Sequence, residues 1–400
     1  MDQARPKLWT KDFIIISAAN FFLYLVFYLL LVTIAVYAVD HYHASEAQAG
    51  LATGIFIIGT LIGRLAIGRI IESVGNRKTM LFGLIFFILT SCLYFIDSGI
   101  SFLLFTRLVH GLALGVASTA TGTIVAQIIP AERKGEGIGY YSMSTTLATA
   151  IGPFIGLFMS QHTSYFVIFS FCLALGVISF IIALFMKVPE VKTSGKKAAV
   201  TRGFKISNYI EPKALPIALV TMIASIGYSS VLSFINFYAI EINLVNVASF
   251  FFIVYAIAIL VSRPVTGRLM DVKGANSVMY PTFILFAAGL FLLSTASNGV
   301  IFLLAAVLIG FGFGNIQSCS QAIAVKVTPL ERMGLATSTY FIALDAGLGF
   351  GPYVIGYIIP LTGYRKLYLI MAIIALVCAV LYYFMHGKKR ESAELKVNEA

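Results

Sequence analysis

The sequence predicts an all-α integral membrane protein, with twelve transmembrane helices arranged as two pseudo-symmetric six-helix bundles. Three observations lead there. Hydrophobic residues make up 59% of the 400-residue chain and charged residues 11%, against roughly 45–50% and about 25% in soluble domains. Apolar runs long enough to cross a hydrocarbon core of about 30 Å, which takes about 20 helical residues, recur along the whole chain. The chain also repeats itself: Arg64, Gly68, Arg69, Glu72 and Gly75 return as Arg263, Gly267, Arg268, Asp271 and Gly274, about 200 residues further on. The same offset carries Gly111 and Gly115 onto Gly310 and Gly314, and Gly152-Pro153 onto Gly351-Pro352. It also carries Pro130, Glu132, Arg133 and Gly135 onto Pro329, Glu331, Arg332 and Gly334. Chance supplies scattered identities, but not an intact P-x-E-R-x-G together with two G-R-x-x-acid blocks.

The first crossing, 13–38, follows Trp9, an interfacial anchor, and is too long for a cleaved signal peptide. The others of the first half are expected at 48–71, 79–96, 101–126, 137–160 and 164–186. Those of the second half are expected at 214–240, 247–270, 277–296, 299–325, 335–358 and 364–386. This divides the chain into a first bundle, 1–187, a basic linker, 188–213, and a second bundle with a short tail, 214–400. An even number of crossings puts both termini on one side. Of the 28 Lys and Arg, only Arg365 and Lys366 would lie outside if the termini are cytoplasmic, and Arg64, Arg107 and Arg263 fall within crossings. That asymmetry is a strong positive-inside signal and places the protein in the cell membrane, both termini cytoplasmic. The net charge of +11 then needs no nucleic acid; its partner is the anionic inner leaflet. The linker, with Lys192, Lys196, Lys197, Arg202 and Lys205, reads either as a flexible tether or as a basic helix on the membrane surface. Cys92, Cys172, Cys319 and Cys378 all lie within crossings without a C-x-x-C pair, and read as packing residues rather than disulfide or metal ligands.

Between the second and third crossings the chain reads Gly68-Arg-Ile-Ile-Glu72-Ser-Val-Gly75-Asn-Arg77-Lys78. This resembles the G-x-x-x-D-x-x-G-R-R-K loop signature of the major facilitator superfamily, with Glu72 for the usual Asp and Asn76 at the first basic position. Gly68 allows close helix approach, Gly75 a tight turn, and an acid among basic residues forms a breakable ion-pair cluster. The resemblance implies that this cluster, repeated at Gly267 and Asp271, latches the inner ends of the halves in the outward-facing state. Arg107-Leu-Val-His110-Gly111 is similar to the superfamily's R-x-x-Q-G motif, with His110 where Gln is common. Gly152-Pro153-Phe-Ile-Gly156 resembles the G-P-x-x-G-G signature of drug:proton antiporters, although Leu157 replaces the last Gly. Gly351-Pro352 repeats it in the second half, which weakens it as a marker of export. The whole pattern resembles the twelve-helix drug:proton antiporters, and the fold implied is the major facilitator fold.

An arginine inside a crossing costs about 2.5–3.5 kcal/mol on insertion scales, so Arg107 should face the bundle interior or snorkel to the outer surface. The resemblance implies that it favours the ionised form of a nearby titrating acid. His110 reads either as a titrating group or as a hydrogen-bonding residue. Of the 17 acidic residues only Asp345 lies in the middle of a crossing. A carboxyl held away from water can load and release a proton near neutral pH, so Asp345 is the candidate coupling site. The alternative is a structural acid paired with Arg107 or bonded to Tyr or Asn. Glu136 and Glu241 lie near membrane edges. Polar and aromatic residues on crossings point to the faces that look inward. Asn20, Tyr24 and Tyr28, with Phe27, form one stripe; Tyr228 and Asn236 follow on the seventh crossing, Asn315, Gln317 and Gln321 on the tenth, and Tyr340 on the eleventh. Aromatic walls with several amides and few fixed charges suit a lipophilic or amphipathic molecule.

No G-x-x-x-x-G-K-[ST] loop is present to bind ATP, and the five histidines are scattered, so neither a nucleotide-driven pump nor an enzyme is indicated, and no cofactor or metal is expected. The function expected is secondary active transport: proton-coupled efflux of small lipophilic or amphipathic compounds by a monomer. The runner-up is export of a specific metabolite (a sugar, siderophore or amino-acid-like molecule) or flipping of a lipid-linked substrate. A non-transporting sensor on the same fold would have little use for Arg107 and Asp345 inside the bilayer.

Overall fold

In a bilayer a backbone group unpaired within its own segment has no water to turn to, so the apolar runs become helices. The computed structural model describes residues 6–187 and 209–388. Most of the expected linker and the chain beyond 388 lie outside the described residues. The helices of the first half are α1 (Lys11–Tyr42), α2 (Glu46–Val74), α3 (Asn76–Cys92), α4 (Ile100–Ile128), α5 (Lys134–His162) and α6 (Tyr165–Leu184). Those of the second half are α7 (Leu215–Glu241), α8 (Val245–Lys273), α9 (Asn276–Ser294), α10 (Gly299–Lys326) and α11 (Met333–Tyr382). Local chemistry sets the ends. Thr10 caps α1 by accepting from Phe13 N at 3.2 Å; Ser45 and Gln48 form a capping box on α2; Asn298 caps α10 through Ile301 N at 3.1 Å. Gly75, at φ 94°, turns the chain from α2 into α3 in a conformation that strains any residue with a side chain. The two P-x-E-R-x-G blocks fold alike, as single 3-10 turns, Ala131–Arg133 and Leu330–Arg332, leading into α5 and α11.

Among the described residues eleven helices, rather than twelve, are long and apolar enough to cross a membrane. The eleventh and twelfth expected crossings run together as the 50-residue α11. At 1.5 Å per residue such a helix would be about 75 Å long, more than twice the hydrocarbon core. It is broken within: Gly363 sits at φ 71°, ψ 173°, outside helical space, shortly after Pro360. The break falls in the expected interval between 335–358 and 364–386, where hydropathy dips.

The chain forms two compact units, each of which takes in a short segment from the other half of the sequence. Unit 1 comprises Met1–Ala131, Tyr141–Glu211 and Pro329–Thr339; unit 2 comprises Glu132–Tyr140, Pro212–Thr328 and Tyr340–Ala400. In unit 1, α2 and α4 touch backbone to backbone. A Cβ at Gly111 or Gly115 would strike the carbonyl oxygens of Phe56 or Thr60, and one at Gly59 or Gly63 those of Leu108 or Leu112. Small residues at such crossings let helices associate without a hydrophobic driving force. A Cβ at Gly152 would lie 2.7 Å from Tyr28 Cβ, and one at Gly156 2.8 Å from Leu29 O, so the Gly-Pro element of α5 lies against α1. Unit 2 repeats the device: Gly310 lies on Tyr255 of α8, Gly289 of α9 on Ile309 of α10, and Gly347 and Gly351 of α11 on Met222 and Ser229 of α7. Large apolar side chains such as Phe82, Phe105, Phe154, Val261 and Ile284 are exposed, which in a membrane means facing lipid.

Candidate functional site

Unit 1 holds two buried polar clusters. In the first, Arg107 of α4 is fully buried, with Nε donating to Ala52 O at 2.9 Å and Nη1 to the Tyr94 hydroxyl at 3.2 Å. Its guanidinium carbon lies 4.3 Å from the centre of the Phe56 ring, a cation–π contact that offsets part of the lost hydration. Arg107 therefore faces inward and does not snorkel. His110, one turn on, contacts Tyr94 Oη through Nδ1 at 3.0 Å and Ser91 Oγ through Nε2 at 3.3 Å, and packs against the Phe87 and Phe56 rings. The hydrogen-bonding reading of His110 is the one this geometry favours, since both ring nitrogens are engaged.

The second cluster centres on Asn20 of α1. Its amide nitrogen donates to Ser144 Oγ at 2.8 Å and Thr145 Oγ1 at 3.1 Å. Its oxygen accepts from Tyr141 at 2.8 Å and Thr121 at 3.4 Å. All four positions of the amide are filled from α4 and α5, so Asn20 ties three helices together and in this conformation has no hydrogen bond left for a ligand. Tyr24 follows one turn later, its hydroxyl accepting from Arg64 Nη2 at 3.4 Å. Phe27 stacks on Phe56 with centroids 5.2 Å apart, and Tyr28 packs against Phe27 at 4.8 Å. The α1 stripe thus joins both clusters.

In unit 2, Tyr228 of α7 stacks on Phe313 of α10 at 4.2 Å and 11°, and on Tyr255 of α8 at 5.3 Å. Asn315 donates to Ser262 Oγ and Phe311 O and accepts from Thr266, all within 2.8 Å. Like Asn20, it is spent on packing. Tyr340 donates to Gln317 O at 2.7 Å. Gln321 is buried, and its amide nitrogen has no hydrogen-bond partner among the described residues. Asn236 is exposed, two turns from the buried Tyr228, and Asp345 is half-buried on α11. The structure therefore brings Tyr228 and its stack together with α10, but leaves Asn236 apart from them.

The loop motifs meet the short segments that each unit takes from the other half of the sequence. In unit 2, Asp271 accepts from the backbone N–H groups of Gly135 and Glu136, each at 2.8 Å, and from Lys326 Nζ at 2.6 Å. The first amides of a helix lack intrahelical partners and carry its positive dipole end, so this carboxylate, only 6% exposed, caps α5 from α8. Gly267 makes the approach possible, because a Cβ there would lie 2.7 Å from Glu136 Cα. Arg133 forms a two-point ion pair with Glu136 at 2.8 Å. In unit 1, Ser338 donates to Arg64 O at 2.7 Å, and a Cβ on Gly68 would meet Ser338 at 2.5 Å. Glu72 and Arg69 are placed on α2, but their side chains lie outside the described residues. Arg77 donates to Leu184 O at 3.3 Å, and Lys78 is exposed. Arg332 pairs with Glu211 at 2.5 Å, and Glu211 N donates to Thr339 Oγ1 at 2.8 Å.

Tyr94, Ser91, Tyr141, Thr121, Tyr255, Glu211 and Lys326 are missing from the residues that sequence reasoning singled out. Tyr141 and Thr121 carry no signal of their own. Tyr94 lies near the end of its crossing, where an interfacial tyrosine would be expected. Among the described residues no group of His, Cys, Asp and Glu is placed to hold a metal ion.

A sequence model of the Major Facilitator Superfamily matches residues 16–347 and 217–399. The chain is similar to an uncharacterised MFS-type transporter of Burkholderia mallei, 26% identical over 377 residues, covering 92% of this chain and 90% of the relative. A comparable relative from Methanocaldococcus jannaschii is 23% identical over 350 residues, covering 85% and 89%. The staphylopine export protein of Staphylococcus aureus is 21% identical over 364 residues, covering 88% and 90%. Among solved structures, the human organic anion transporter MFSD10 superposes with a TM-score of 0.80 at 14% identity, covering 94% of this chain and 100% of that one. The proton:xylose symporter XylE gives 0.73 at 12%, covering 93% and 94%. At these identities the structures speak for the fold alone.

Proposed function

The chain belongs to the major facilitator superfamily and is a multi-pass membrane transporter, and from that premise we propose that it exports small lipophilic or amphipathic compounds in exchange for protons. The observation that carries this reading is Asp345, half-buried on α11 shortly before Gly351-Pro352 and the one acid placed mid-crossing. A carboxyl in a bilayer interior is costly and rarely kept without function. It can take up a proton from one side and release it to the other as access alternates. Arg107 of α4, held by the Tyr94 hydroxyl and the Phe56 ring, supplies a fixed positive charge on the other half of the chain. The stacked aromatic side chains of α1, α7 and α10 supply the apolar walls.

Alternation needs contacts that hold one state and release. The capping of α5 by Asp271, and the seating of Ser338 on Arg64 O, are of that kind: short, charge-assisted or backbone-directed, and built on glycines at repeat-related positions. We assign them to the cytoplasmic side, with both termini, in a monomer of the cell membrane. The second reading, export of one specific metabolite, accords with the name of the Staphylococcus aureus relative.

The experiment is transport in proteoliposomes with an imposed pH gradient, with Asp345→Asn in parallel. Substrate-stimulated proton flux in the wild type and its loss in Asp345→Asn, with substrate counterflow retained, is the expected result. Equal proton flux in both proteins would remove Asp345 from the coupling role.

A further inference from the structure

We infer that Arg263 binds the acidic group of an amphipathic organic anion. This rests on the transport reading and specifies its substrate class. Arg263 lies in the interior of unit 2, 1% exposed, at the position repeated from Arg64. Its one hydrogen bond runs from Nη2 to Gly314 O at 3.3 Å, and its Nε and Nη1 are buried without a partner among the described residues. A guanidinium is never neutral in a protein, and a buried charge is stable only when paired and hydrogen-bonded. The chain pairs its other intramembrane arginines better. Arg107 has a carbonyl, a phenol and an aromatic face, and Arg64 has the Tyr24 hydroxyl. In the corresponding turn of α7, residues 222–225, the sequence is Met-Ile-Ala-Ser, so that turn offers Arg263 no phenol, and the nearby Tyr255 and Tyr340 act on its charge without a hydrogen bond to it.

Neighbouring groups do not fill the gap. Asn315 and Thr266 are committed to one another and to Ser262. Asp271 is committed to Gly135, Glu136 and Lys326, and Glu136 to Arg133. The missing partner is therefore an anion brought in from outside. The planar fork of a guanidinium matches a carboxylate, with charge-assisted hydrogen bonds that a neutral ligand cannot make. The body of the ligand follows from what adjoins. Tyr255 precedes Arg263 on the same face of α8, Phe313 precedes the Gly314 whose carbonyl Arg263 touches, and both rings belong to the Tyr228 stack. A flat apolar skeleton bearing one carboxylate meets both features.

The test is binding to the purified protein of two matched pairs, indole-3-acetate with indole-3-acetamide and 4-phenylbutyrate with its amide. Arg263→Gln, Arg263→Met and Arg64→Gln are measured alongside. The carboxylates are expected to bind at least ~10-fold tighter than the amides, a preference that Arg263→Gln removes and Arg64→Gln keeps. Because the guanidinium lacks its partner in the free protein, ligand-free Arg263→Met is expected to melt at or above the wild-type Tm. Equal or absent binding of both pairs, a preference that survives Arg263→Gln, or a lower Tm in Arg263→Met would each overturn the assignment. Counterflow of neutral or cationic compounds without carboxylate binding would remove the anion site and leave the transport reading. Carboxylate binding without any counterflow would do the reverse.

Discussion

Replacing Asp271 by Asn should open the start of α5 without unfolding the protein. The carboxylate accepts two backbone N–H groups at 2.8 Å and the Lys326 ammonium at 2.6 Å. An asparagine offers one oxygen and one NH2, so it can keep one of the two amide contacts but must turn a donor toward the other. A buried amide left unsatisfied costs about 1–3 kcal/mol, and the bond that remains loses its charge assistance, about 1 kcal/mol more. The Lys326 contact, with the lysine side chain 25% exposed, adds less than about 1 kcal/mol. Together these give about 2–5 kcal/mol, or, at 1.4 kcal/mol per decade, roughly 30- to 4000-fold in the opening equilibrium of this segment. Hydrogen exchange read by mass spectrometry measures that equilibrium directly. The peptide spanning 132–140 should exchange faster by that factor in Asp271→Asn, while 333–340 at the start of α11 is unchanged. Unaltered exchange at 132–140 would show that the capping by Asp271 does not hold the segment and would sink the latch.

Other substitutions test the same framework. Gly267→Ala, whose Cβ would lie 2.7 Å from Glu136 Cα, should weaken the seating by about 1–3 kcal/mol, seen as the same faster exchange at 132–140. Arg332→Gln should lower Tm more than Glu211→Gln, because it leaves a carboxylate that is 4% exposed without its cation, whereas the reverse leaves an arginine that is 42% exposed. Tyr141→Phe removes the hydroxyl bonded to Asn20 and Thr121; a loss of about 1–2 kcal/mol in thermal or denaturant unfolding in detergent is expected, and no change would mean that the Asn20 cluster does not tie α1 to α5.

Much of the architecture was legible in the sequence because bilayer thickness dictates helix length, and because the repeat tied Gly68 to Gly267 and Glu72 to Asp271. The division between the last two crossings was legible too, as the interval between 335–358 and 364–386, whereas the structure shows one long helix broken at Gly363. What the sequence hid was partnership. Asp271 and Gly135 were both marked by the repeat, yet nothing in their spacing says that one caps the other. Glu211 beside Arg332 is a meeting of residues far apart in the chain, and Tyr94 reaches Arg107 from the end of the preceding crossing. Helix faces were hard to read for a physical reason: when lipid and protein interior are both apolar, a buried stripe and a lipid-facing stripe have nearly the same composition. Asn20 and Asn315 are buried, but the hydroxyls of Ser144, Thr145, Ser262 and Thr266 that consume their hydrogen bonds gave no signal of their own.

The glycine contacts between α2 and α4 bear on how the molecule responds to mechanical load. Side chains packed between helices act as a compliant layer, since they can change rotamer while the backbones shift. At Gly59, Gly63, Gly111 and Gly115 that layer is missing, and peptide groups rest directly on peptide groups. With no rotamers to exchange and few voids to collapse, the pair should be nearly incompressible. Under hydrostatic pressure or lateral membrane tension, strain would then pass through α2 and α4 as through a single plank, and deformation would gather where larger side chains cushion the contacts.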